Sequence, residues 1–308
     1  MMNKSGQSPA AARGQLNSLD KRSNRLKEPF DSSKRFPLWI QQGLGTAGRL
    51  RVATAGEKIG NTEVTIMVHT FVDGTYRLTN LTTESNEYLA KREEVRLAEV
   101  ELMHQRERVA ELRRNLPEGA AIEDYQFEEG PRDLNAGDAP VRNVSFSKLF
   151  TKPDRSLVIY HLMFGKKQTK PCPMCTAWLD GANGIAHHLA QNLDFAVVAA
   201  ADIPTLRAHA RARGWDKLRL LSAGNGGFKY DLGSEDREGA QDSTVSVFMR
   251  DAHGVLRHFY TAHPRMAPDI QQRGIDLLAP MWHFMDLTPQ GRGDWYASLS
   301  YGTKVPTP

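Results

Sequence analysis

The sequence predicts an α/β fold in three layers, with helices on the faces of a largely parallel sheet, behind a long helix and a disordered N-terminal extension. Three observations predict it. Ser156–Phe164 and Phe195–Ala201 are apolar on both faces, as strands covered on both sides must be. Amphipathic segments of helical length lie between such runs, and a strand, crossover helix and second strand in one sheet run parallel. The only two cysteines, Cys172 and Cys175, stand where the first such strand gives way to a helix.

Taken in order, the first 82 residues read as a basic, disordered extension rich in Ser, Gly, Ala, Arg and Lys with little hydrophobic period, although Met67 is an alternative start. Glu63–Leu78 could form a hairpin around Asp73-Gly74, which tolerates the positive φ of a tight turn. Residues 83–124 form a helical arm. A helix over Glu84–Leu116, stopped by Pro117, places Val95, Leu102, Val109 and Leu116 seven apart with Ala98 and Leu112 between. This stripe needs a partner, either its own domain or a second copy in a homodimer.

Residues 125–308 form the domain that carries the chemistry. Tyr125–Asp138, rich in Gly, Pro and acids, reads as its leading linker. After the first strand a helix should start at Pro173, a residue favoured in the first helical turn, and run to Asn192. The strand Phe195–Ala201 follows, then a helix Ile203–Arg213 stopped by Gly214, then a strand Lys217–Ser222. Ser243–Arg250 and Val255–Thr261 make a hairpin about Asp251-Ala252-His253-Gly254, and a last helix spans Asp269–Met285. This order resembles the thioredoxin-like architecture, a three-layer α/β/α sandwich.

Composition narrows the function. The 308 residues are 40% hydrophobic and 25% charged, with a mean hydropathy of −0.50, as in ordinary globular chains. The longest apolar runs fall far short of the ~20 residues of a membrane helix. A net charge of +4 is mild, and basic and acidic residues are interleaved beyond the tail, which gives little support for nucleic-acid binding. Met1–Leu26 lacks the apolar core of an export signal, so a reducing cytoplasm is expected, where a Cys-x-x-Cys pair stays reduced and cycles.

Chemistry therefore centres on Cys172-Pro173-Met174-Cys175. A thiol reacts as its thiolate. A helix N-terminus offers unpaired N–H groups and the positive end of the dipole, and Lys166, Lys167 and Lys170 would add positive potential. Cys172, at the exposed end, is the expected nucleophile, and Cys175, one turn in, the resolving thiol. His161 or Asp180 could accept the proton of Cys175, His161 being otherwise a core histidine and Asp180 a capping carboxylate.

Zinc would need two further ligands, and the adjacent His187 and His188 point about 100° apart on a helix, so neither a metal nor another cofactor is expected. Gly224-Asn225-Gly226-Gly227 lacks the Lys-Ser/Thr of a phosphate loop and reads as a plain loop. Arg292-Gly293-Asp294 reads as a surface tripeptide without a partner. Trp178, Trp282, Tyr260 and Trp295 read as core or rim aromatics, one of which could wall a groove beside Cys172.

Tyr88–Arg92, Arg106–Arg114, Tyr160–Gly165, the Cys172–Cys175 motif and Leu287–Gly293 together resemble the thioredoxin-like bacterial family labelled domain of unknown function 899, over roughly Thr83–Gly302. The resemblance implies the fold and a dithiol-disulfide oxidoreductase or isomerase, with no substrate specified. Thioredoxins place a cis-proline before the strand facing the cysteines. Gln241–Val245 has none, and Ser243 or Thr244 could present a hydroxyl there instead. The expectation is a thiol-disulfide oxidoreductase acting on a disulfide- or peroxide-bearing substrate with a separate electron donor. A thiol peroxidase and a non-catalytic dimerisation module are the alternatives.

Overall fold

The computed structural model describes residues 81–224, 226–266 and 278–301. The expected extension and the Glu63–Leu78 hairpin lie outside them. Helix α1 (Asn86–Arg114) starts where the Ser85 hydroxyl accepts from Tyr88 N–H, and has arginines in its last turn, where they suit the negative end of the dipole. None of its residues is buried. Val95, Leu102 and Leu112 are each at least half exposed, so the stripe does not dock on the domain as one expectation had it.

The sheet holds β1 (Gln126–Glu129), β2 (Arg142–Ser145), β3 (Leu157–His161), β4 (Asp194–Ala199), β5 (Leu220–Ser222), β6 (Val245–Arg250) and β7 (Leu256–Ala262), in the order β2-β1-β5-β4-β3-β6-β7. Strands β3, β4 and β5 are parallel, and the others join antiparallel. Helix α2 (Pro173–Asn192) connects β3 to β4, and α3 (Ile203–Arg213) connects β4 to β5. Gly214 ends α3 in the left-handed region, φ 69°. A one-turn helix α4 (Phe228–Asp231) precedes β6, and α5 (Pro280–Asp286) follows β7. The β-α-β unit followed by β-β-α, with central order β4-β3-β6-β7, makes the fold α/β and thioredoxin-like.

Each face of the sheet has its own core. On one, Tyr160, Leu162, Val197, Leu220 and Val245 pack against Met174, Cys175, Trp178 and Leu179 of α2, Leu206 and Ala210 of α3, and Trp282 of α5. On the other, Leu157, Ile159, Val198 and Phe248 meet Phe127, the 3-10 turn Phe146–Leu149 and Phe228 of α4, so the second helical layer is thin. Phe146 and Phe248 are 4.9 Å apart edge to face, as are Phe127 and Phe228. Such pairs each add ~0.5–1.5 kcal/mol beyond the area they bury.

The expected linker Tyr125–Asp138 needs correction, because it contains β1. Its QFEE strand buries Phe127 and Glu129 and exposes the residues between. Glu129 is tolerated there because Arg219, at 2.8 Å, and Arg142, at 3.1 Å, pair with it. A carboxylate destined for two arginines reads in sequence as a loop residue. Helix α5 covers the end of the expected last helix, whose residues 269–277 lie outside the described residues.

Candidate active site

Beyond β3 the chain is pinned to the end of β4, where Phe164 O accepts from both Ala200 N, at 3.0 Å, and Ala201 N, at 2.9 Å. Gly165 follows with φ 107°, and a Cβ there would lie 2.1 Å from Ala201 N, so only glycine permits this passage. A tight turn from Gly165 to Gln168 reverses the chain, and Cys172 N–H returns to Met163 O at 3.0 Å. The motif is thereby fixed over the C-terminal end of β3.

Cys172 caps α2. Its backbone is extended, φ −65° and ψ 125°, Pro173 takes the first helical position, and the Cys172 Sγ accepts from Cys175 N–H at 3.5 Å. Thr176 seals the turn by donating both N–H and Oγ1 to Cys172 O, each at 3.0 Å, and Thr176 Oγ1 also meets His209 Nε2 at 3.1 Å. Both cysteines are free thiols.

The two sulfurs are driven in opposite directions. The Cys172 thiol is lowered to about 7, chiefly because the Cys175 thiol donates to it; burial opposes this, and the N–H groups of Cys175 and Met174 assist. Asp242 works against the thiolate. Burial pushes Cys175 well up, and the neighbouring Cys172 pushes it further. Beneath them lies Tyr160, whose hydroxyl is also held well above its ordinary value by burial and by Cys175.

The lysines of the loop before the motif are not among the leading influences on Cys172. Lys166 is tied to Glu235, and Lys167 and Lys170 face solvent. The partner thiol and then the backbone N–H groups are the main influences that lower the Cys172 thiol. Nor is Cys172 at an exposed end: only 9% of it is accessible, within a cluster that also holds Ala279, Trp282 and Ala297. Burial raises the phenol of Tyr296, packed against that cluster, and both sulfurs raise it further.

His161 is not beside the cysteines. Strand side chains alternate, so with Tyr160 and Leu162 on the cysteine face His161 falls on the other. There it stacks on Phe228, 5.3 Å between centroids, and joins Ser234 through Nδ1 at 2.7 Å and Ser246 through Nε2 at 3.1 Å. Burial holds its pKa well below the ordinary histidine value. Asp180, two turns along α2, is also engaged elsewhere: it pairs with Arg213 and accepts from Trp215 Nε1 at 2.8 Å.

Of Ser243 and Thr244, both buried, Ser243 comes to the cysteine side, whereas Thr244 lies opposite His161 and shares its face. Ser243 faces the Tyr160 hydroxyl, Thr244 O accepts from His161 N–H at 2.9 Å, and the Thr244 hydroxyl has no partner. His187 and His188 are exposed on α2. Trp178 and Trp282 line the cysteine cluster, whereas Tyr260 lies under Arg113 and Trp295 against Trp282. Sequence reasoning missed Tyr160, Asp242, Tyr296 and Lys229. Tyr160 was legible, one strand position from His161 on the correct face. The other three reach the site only through the fold.

The chain's likeness to solved structures is distant. Reduced Prx3 of Vibrio vulnificus in complex with hydrogen peroxide is 16% identical with a TM-score of 0.37, covering 54% of this chain and 99% of its own. The 1-Cys peroxiredoxin antioxidant protein of Plasmodium falciparum is 16% identical with a TM-score of 0.38, covering 51% and 87%. A putative thioredoxin reductase of Burkholderia cenocepacia is 20% identical with a TM-score of 0.37, covering 53% and 96%. No curated protein matches the chain. Residues 78–304 match the family described as bacterial protein of unknown function (DUF899), and the chain belongs to it.

Proposed function

We propose that the protein is a dithiol-disulfide oxidoreductase in which Cys172 attacks and Cys175 resolves. The observation that carries this reading is the cap of α2: a sulfur held against the first N–H groups of a helix, with a second thiol one turn further in donating toward it. The Cys172 thiolate attacks one sulfur of a disulfide, forming a mixed disulfide and releasing a thiolate. Cys175, once deprotonated, attacks Cys172 Sγ, which frees the second substrate thiol and leaves a Cys172–Cys175 disulfide. The substrate gains two electrons and the dithiol loses them, so turnover needs an external thiol reductant, as a reducing cytoplasm provides.

The test is a Cys175→Ser variant incubated with a disulfide substrate. Mass spectrometry should find a stable mixed disulfide on Cys172, whereas the parent forms an internal disulfide and releases both product thiols. A parent that never forms the internal disulfide would overturn the reading. The enclosure of Cys172 favours a second one: a small peroxide oxidises Cys172 to a sulfenic acid, which Cys175 condenses to the same disulfide with loss of water. Comparing oxidation rates by peroxide and by a small disulfide separates the two.

A further inference from the structure

Among the described residues Lys229 is a lysine with no exposed surface. It belongs to α4, where Phe228 enters the aromatic core and Lys229 turns over the end of β3. Its Nζ donates to Leu162 O at a long 3.4 Å. The next carbonyl, Met163 O, accepts from Cys172 N–H, and the Leu162 side chain packs in the cluster that holds Cys175. Two consecutive carbonyls thus hold the lysine and the cysteine motif.

A buried ammonium is ordinarily matched by a carboxylate. Here Glu235 is taken by Lys166, Asp242 by His263 and Arg265, and among the described residues no carboxylate pairs with Nζ. The charges facing Nζ are Cys175 from α2, Lys166 from the loop after β3, and Glu235 and Asp242 from the segment after α4; His161 of β3 lies close enough to feel the lysine. After burial, which lowers the amine to about 7, Cys175 is the largest influence on it. Near neutrality the amine therefore has room for a proton.

We propose that the Lys229 amine takes the proton of Cys175 as that thiol resolves a mixed disulfide on Cys172. The inference rests on the dithiol reading above. Nζ makes no direct hydrogen bond to the sulfur, so Cys175 gives its proton to the amine through one bridging water, leaving a thiolate and an ammonium that each offset the other's burial. The thiolate attacks Cys172 Sγ, the Cys172–Cys175 bond forms and the bond from Cys172 to the substrate breaks. The substrate sulfur departs with the electron pair and is protonated by solvent, and the ammonium gives its proton back to solvent, which returns lysine to its starting state. His161 cannot serve because it faces away, nor Tyr160 because its phenol is itself held protonated. Lys229 acts on substrate only through Cys175, so it is a positioning residue.

The test follows the full chain reacting with an aryl disulfide that releases a coloured thiolate in stopped flow. The first equivalent reports attack by Cys172, the second resolution by Cys175. Lys229→Met should leave the first phase unchanged, slow the second roughly tenfold or more at pH 7, and move its pH midpoint upward. A second phase with unchanged rate and pH profile overturns the proposal. A parent lacking a second phase overturns the dithiol reading, and the proposal with it. Should Lys229→Met fail to fold, an NMR titration of the Lys229 side chain in the parent decides: a midpoint near 7, moving down in Cys175→Ser, supports the proposal, and one at the ordinary lysine value of ~10.4 overturns it.

Discussion

Cys172 and Cys175 carry the same functional group three residues apart, and one turn of helix separates their chemistry. At the cap, Cys172 sees N–H groups and a thiol that all stabilise negative charge; within the turn, Cys175 sees mainly the loss of water. Alkylation of Cys172 should therefore rise with a midpoint near pH 7, while Cys175 labels slowly throughout. Cys175→Ala, by removing the largest stabilising contact, should move that midpoint upward, and an unmoved midpoint would show that the cap alone sets it. The sign for stability follows. Cys172 is depressed in the folded state, so its contribution is present in full above the unfolded thiol's value and is lost as pH falls through about 7. The motif was legible because spacing and a following proline are sequence properties. The inertness of His161 was not, because it depends on which face of β3 turns toward α2.

At the scale of elements, the site depends on how the chain passes from β3 to α2. Gly165 makes that passage against the backbone of Ala200 and Ala201, at separations where no Cβ fits. Gly165→Ala should destabilise the fold by ~3 kcal/mol or more in denaturant unfolding, since two rigid backbones would have to part. A loss below ~1 kcal/mol would mean that the two segments can separate freely. The extents of α2 and α3 were legible from Pro173, Asn192 and Gly214, which act locally. Strand β1 was not, since its acids become strand residues only when Arg142 and Arg219 arrive from β2 and the approach to β5.

For the whole molecule, Arg207 joins the segment after β1 to the sheet's helical face. Almost fully buried, it donates to Asp138 at 3.0 Å and to the carbonyls of Pro131, Asp133, Leu134 and Gly137. Arg207→Met would strand these acceptors and should cost about 3 kcal/mol in denaturant unfolding, while leaving the pH profile of Cys172 labelling intact. A change in that profile would show the two regions to be linked. Asp138 is held down to about 2, first by Arg211 and then by Arg207. Its stabilisation is present above the ordinary aspartate range and is lost as pH falls toward 2, so the acid unfolding of Arg207→Met should be shallower there.

The sequence by itself determined the periodicities, the helix caps and the place of the cysteine pair at a strand-to-helix junction, because each rests on residues within a turn or two of one another. Only the tertiary structure decided that Lys229 is buried with its Nζ on Leu162 O, that Ala279, Trp282 and Ala297 join the cluster around Cys172, and that His161 and Asp180 are engaged elsewhere. Those facts follow from which segments share a face of the sheet, and burial and charge at a site are sums over neighbours drawn from far along the chain.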